Sequence, residues 1–240
     1  MSEAQQRTVV MGGSSGIGLA CVERLALAGH EVIATGRDGA KLQRALAGHG
    51  EKVRGVVLDG TQPQAVRSFF SGAGGIDHLV ICLSGAEGGG EFATLDLQAL
   101  RRGFEAKFWP HIEIAHAAIP TLSQNGSITF ITAVSAKAAV PGTSGLAAIN
   151  GAINCMIPPL ARELKPIRVN AVSPGVIDTP WWNGYSSEAK AAAFQSFSAM
   201  IPAGRVGKPD EVARAVQHFV ENGYVTGAVL VCDGGLRLMN

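Results

Sequence analysis

The residues with the clearest chemical meaning are Gly12-Gly13-Ser14-Ser15-Gly16-Ile17-Gly18, directly after a short apolar run at 8–11. Glycines at 12, 16 and 18 let a backbone turn tightly and approach a bound group closely. A helix that starts there offers free N–H groups and the positive end of its dipole, which suits a phosphate. Gly12, Ser14, Ser15, Gly16, Ile17 and Gly18 therefore read as a cradle for a dinucleotide's pyrophosphate. The spacing is G-x-x-x-G-x-G rather than G-x-G-x-x-G, and a merely tight strand-to-helix turn is the competing reading.

Such a cradle needs a strand before it and a helix after it, and the chain supplies both repeatedly. Apolar runs at 8–11, 31–35, 53–58, 76–82, 127–132, 167–172 and 229–232 are rich in Val and Ile. Their lack of polar alternation fits parallel strands covered on both faces. Helical patterns lie between them at 16–28, 41–46, 64–70, 97–118, 146–164 and 210–220. Strand–helix alternation predicts an α/β fold, a doubly wound Rossmann-type parallel sheet flanked by helices. Pro158-Pro159 interrupts the 146–164 pattern and predicts a kink, or an end near Ile157 with a restart, unless the site tolerates it. The irregular stretch 178–202, with Trp181, Trp182, Tyr185 and a short helix at 187–200, reads as a substrate lid.

Size and charge narrow the classes. One hydrophobic core serves up to roughly 250–300 residues, so 240 residues with 47% apolar content fit one domain over 1–240. With 20 basic and 19 acidic residues, nothing electrostatic favours nucleic acid or an anionic membrane. Cys21, Cys82, Cys155 and Cys232 are scattered and read as reduced, mostly buried thiols, Cys155 a small core residue among them. No signal-like core or membrane-length run stands out, so a cytoplasmic protein is expected. His111 and His116 stand five apart on a helix without an acidic cluster, and no metal site is expected.

Together with Arg168-Val169-Asn170, Pro174-Gly175, Gly204-Arg205, Thr226-Gly227 and Asp233-Gly234-Gly235, the glycine turn makes the whole chain resemble the short-chain dehydrogenase/reductase family. The resemblance implies an NAD(H) or NADP(H) cofactor and a tetramer or dimer. Subunit contacts would fall on the 97–118 and 146–164 helices. At the end of the second strand, Gly36 leaves room and Arg37 supplies a cation where an acid would repel a 2′-phosphate. That favours NADP(H) over NAD(H), although a solvated Arg37 reads equally simply. Asp59 matches the family's adenine-contacting acid, or is a turn former. Ser84 and Gly85 belong to the segment beside the cofactor, and Pro174, Gly175, Ile177 and Thr179 to the one at the nicotinamide carboxamide. Met11 replaces a threonine, and Cys82-Leu83-Ser84-Gly85 replaces Asn-Asn-Ala-Gly, which predicts weaker hydrogen bonding around the adenosine half.

The family's acid–base residues are matched by others. Leu146 falls at the tyrosine, Asn150 at the lysine, Ala133 at the serine and Lys107 at the asparagine. Leu146 and Ala133 have no proton to move. Three replacements remain: Lys107, if burial depresses its pKa, against a lysine snorkelling on a helix face; Ser135, if an extended backbone points it the same way as Ala133; and Asn150, which can bond a ribose but carries no charge. Two functions are expected in competition. One is an NADP(H)-binding, catalytically impaired protein that self-associates or joins an active relative. The other is an NADPH-dependent oxidoreductase with an unorthodox site, taking a small apolar carbonyl or alkene beneath Trp181, Trp182 and Tyr185.

Overall fold

The computed structural model describes residues 5–85 and 87–239. Among these residues, seven strands form one parallel sheet: β1 (Arg7–Met11), β2 (Glu31–Gly36), β3 (Val53–Val57), β4 (Ile76–Ile81), β5 (Leu122–Ile131), β6 (Arg168–Pro174) and β7 (Val229–Cys232). Their order is β3-β2-β1-β4-β5-β6-β7. The direction of winding reverses between β1 and β4, and a crevice at such a switch, outside the carboxyl ends of the strands, is where doubly wound sheets bind ligands.

Among the described residues, eight α-helices cover the sheet: α1 (Gly16–Leu27), α2 (Gly39–Leu46), α3 (Pro63–Gly72), α4 (Leu97–Gly103), α5 (Trp109–Ala118), α6 (Ser144–Glu163), α7 (Ser187–Met200) and α8 (Pro209–Glu221). Adjacent residues of one strand enter opposite cores. Val9 and Met11 pack with Ile114 of α5 and Ile153 and Ile157 of α6. Val10 packs with Cys21 and Leu25 of α1 and Val216 and Phe219 of α8. Two-faced burial is why these strands carry no polar alternation.

Three expectations change. The 97–118 helix is divided, because a π-helical turn at Phe104–Phe108 separates α4 from α5. Pro110 follows it; its ring clashes with the carbonyl four residues back and it donates no hydrogen bond, so the helix widens there. By contrast α6 runs unbroken through Pro158 and Pro159. Both prolines are exposed, so water can reach the carbonyls they leave without donors. Finally, Cys155 is exposed rather than in the core, while Cys21 is buried and Cys82 and Cys232 are intermediate.

Candidate functional site

The glycine turn joins β1 to α1 at the switch point. Gly12 adopts φ 83°, a left-handed conformation open to glycine. A Cβ on Gly18 would lie 2.0 Å from the Gly12 carbonyl oxygen, so α1 packs on the turn only without one. Ser15 is the N-cap of α1 but makes no side-chain cap, which leaves the first-turn N–H groups available to an anion. These residues fit a pyrophosphate.

Thr35, at the end of β2, was not singled out by the sequence. Its hydroxyl accepts from Gly12 N at 3.3 Å and donates to Met11 Sδ at 3.5 Å. A neighbouring strand thus supplies the hydroxyl that position 11 lacks. Beyond β3, Asp59 Oδ1 accepts from Thr61 N at 3.0 Å and Thr61 Oγ1 at 2.8 Å. Asp59 does form a turn, and its second oxygen remains for another donor.

Lys107 lies in the π turn and is 8% exposed; it does not snorkel. Its ammonium donates to Thr132 O at 3.2 Å, just past β5. Burial lowers its pKa to about 8. One turn on, His111 Nδ1 donates to the Lys107 carbonyl at 2.7 Å, which leaves neutral Nε2 without a partner among the described residues. Burial, followed by the Lys107 charge, takes His111 down to about 3. The site therefore holds a charged lysine beside a neutral histidine.

Asn150, on α6, is 3% exposed. Its Nδ2 donates to Leu146 O at 2.9 Å and Ser135 Oγ at 3.3 Å. Its Oδ1 is a buried acceptor with no donor among the described residues. The extended backbone on which Ser135 would point with Ala133 is not formed: residues Val134–Ala136 make a 3₁₀ turn. The turn, rather than strand alternation, brings its hydroxyl to Asn150. Leu146 packs its Cδ1 toward Gly89.

After β6, Gly175 N donates to Cys232 O at 3.0 Å, and Ile177 bridges to Gly207. Thr179 stands against Gly16, with Pro180 beside it, so the start of the 178–202 segment abuts the glycine turn. Trp182 Nε1 donates to Ile177 O at 3.0 Å. Trp181, Trp182 and Tyr185 form one aromatic cluster, with centroid separations of 4.9 to 5.9 Å. Lys190 of α7 ties back to Asp178 at 2.7 Å. Five strand ends of one parallel sheet thus deliver Gly12–Gly18, Arg37, Ser84-Gly85, Ala133–Ser135 and Gly175–Thr179 to the same edge. Lys107 and Asn150 approach that edge from the helices.

This topology defines a doubly wound, Rossmann-type protein. The pattern of the family described as Enoyl-(Acyl carrier protein) reductase matches residues 12–237. The 3-oxoacyl-[acyl-carrier-protein] reductase MabA of Mycobacterium tuberculosis is 30% identical over 239 residues, spanning 96% of this chain and 92% of the relative. A small-chain dehydrogenase solved in complex with NADPH superposes with TM-score 0.85 at 30% identity, covering 98% of this chain and 100% of the other. A short-chain oxidoreductase from Pseudomonas aeruginosa PAO1, described as containing an atypical catalytic center, gives TM-score 0.86 at 28% identity, covering 96% and 97%. The chain belongs to the short-chain dehydrogenase/reductase family. Among the described residues no helix is long and apolar enough to cross a membrane.

Proposed function

We propose that the protein is an NADP(H)-binding member of this family whose usual proton delivery is lost, so that ordinary carbonyl reduction is suppressed. The observation carrying this reading is an open glycine cradle beside an α6 that presents Leu146 and Asn150. Asn150 uses its amide donors on Leu146 and Ser135, and neither Leu146 nor Ala133 has a proton to give. The cradle Gly12, Ser14, Ser15, Gly16, Ile17 and Gly18 would hold the pyrophosphate. Arg37 would meet the 2′-phosphate and the free oxygen of Asp59 the adenine. Ser84, Gly85, Pro174, Gly175, Ile177 and Thr179 would line the remainder, with Asn150 Oδ1 able to accept from a ribose hydroxyl. When bound, the nicotinamide supplies or takes a hydride. General acid–base catalysis is worth about 10²–10⁴-fold, and turnover falls by at least that factor without it.

A second reading, an NADPH-dependent oxidoreductase with an unorthodox site, is favoured by Lys107. A buried amine with a pKa of about 8 keeps a proton at neutral pH and releases it readily. The aromatic cluster of Trp181, Trp182 and Tyr185 would cover a small apolar carbonyl or alkene. The solved relative described as having an atypical catalytic center also supports it. For assembly we favour a homo-oligomer, or a mixed one with an active relative, through the faces carrying Leu97 and Trp109, which are 59% and 47% exposed.

Thermal unfolding with NADPH and NADH tests the binding claim. NADPH at a hundred times its Kd adds about 2.7 kcal/mol; no shift with either nucleotide refutes both readings. NADPH oxidation across a carbonyl and activated-alkene panel then separates them. Turnover that Lys107→Met abolishes without weakening NADPH binding establishes the second reading.

A further inference from the structure

We propose that Lys41 is a second cationic ligand for the 2′-phosphate of NADP(H), acting with Arg37 between the ends of β1 and β2. The inference rests on the NADP(H) reading of the glycine turn and extends it to a residue that the sequence does not single out.

Asp38, the N-cap of α2, accepts from Lys41 N at 2.9 Å. This cap fixes the backbone from which the Lys41 side chain departs. The ammonium then crosses to the glycine turn and donates to Ser15 Oγ at 3.1 Å, a contact between residues 26 apart. No side chain intervenes at the strand end, because Gly36 packs so closely that a Cβ on it would stand 3.0 Å from Ser14 Cβ. Ser14, Ser15 and Lys41 therefore meet at one junction, and the exposed Arg37 directly follows Gly36 there.

The charge at this junction is unbalanced. Among the described residues, no carboxylate forms an ion pair with Arg37 or Lys41. Asp38, the nearest acid in sequence, has its Oδ1 engaged by the backbone of its own helix. Two cations and two hydroxyls match a phosphate dianion. The pyrophosphate is the other anion within the cofactor, and the first-turn N–H groups of α1 already suit it. Lys41 arrives instead from the helix that follows Arg37, on the side of Ser15 toward the end of β2. That placement selects the 2′-phosphate.

The test is equilibrium binding of NADPH, NADH, 2′-AMP and 5′-AMP to wild type, Lys41→Met and Lys41→Arg. Lys41 is exposed, and unchanged melting temperatures check that each variant folds. Lys41→Met should weaken NADPH and 2′-AMP about tenfold, as for loss of a charged hydrogen bond, and leave NADH and 5′-AMP unchanged. Lys41→Arg should restore most of the loss. Equal weakening of NADPH and NADH places Lys41 on the pyrophosphate and overturns the proposal, as does an unchanged NADPH affinity. Failure of the underlying reading looks different: wild type itself then binds no nicotinamide nucleotide, or binds NADPH and NADH equally.

Discussion

Replacing Lys107 with methionine should make the protein more stable at neutral pH, an unusual outcome for a buried residue that makes a hydrogen bond. The amine's pKa falls from 10.5 to about 8 through burial. At 1.36 kcal/mol per unit, a charged Lys107 costs the folded state about 3 kcal/mol. Loss of its bond to Thr132 O offsets about 1 kcal/mol, so Lys107→Met should gain about 2 kcal/mol at pH 7. The folded pKa lies below the unfolded one, so the cost is fully present below pH 8. It disappears as pH rises from about 8 toward 10.5, because the folded state releases its proton first. At pH 9.5 the remaining cost is about 1 kcal/mol, and the variant's advantage should vanish. Urea unfolding of both proteins at pH 7 and pH 9.5 measures this. A variant less stable at pH 7, or one whose gain is independent of pH, would show that Lys107 is not held as a buried cation. The second reading, in which Lys107 donates the proton, would then fail too.

Two other perturbations follow from the geometry. His78, held at about 4 chiefly by burial, and His111, held at about 3, are neutral when folded. The unfolded chain takes up protons first as pH falls below about 6.5, and stability should drop by about 2 kcal/mol per histidine at pH 5; a flat profile between pH 7 and 5 contradicts their burial. Gly18→Ala forces its Cβ against the Gly12 carbonyl. It should abolish NADPH binding and lower stability by at least about 1 kcal/mol, whereas unchanged binding by calorimetry would remove the turn from the cradle.

The sheet was legible because burial on both faces leaves a plain signature. The 229–232 run coincides with β7 and the 187–200 helix with α7. The glycine turn was legible for a related reason, since Gly12 and Gly18 answer to steric limits that exclude side chains. The parts that escaped depend on contacts between distant segments. The sequence marks Thr35 as an ordinary strand residue, yet it bonds Gly12 from a neighbouring strand. Lys41 looks like a solvent-facing helix residue, and only the folded chain brings it to Ser15. Ser135 would point with Ala133 only on an extended backbone, and it lies in a 3₁₀ turn. The widening of the helix at Lys107 was foreshadowed only by Pro110, whose clash with the preceding turn is local even though its effect on the site is not.

On the reading proposed above, this site holds a nicotinamide dinucleotide without the family's usual acid–base chemistry. A single rapid-mixing experiment addresses both halves. NADPH is mixed with the protein and a reactive carbonyl, with nicotinamide fluorescence reporting binding and loss of NADPH absorbance reporting hydride transfer. The expected result is a prompt, saturable fluorescence change, followed by oxidation at least about 10²-fold slower than the roughly 10 s⁻¹ typical of enzymes. Absence of a binding signal, or oxidation at an ordinary rate, would contradict this.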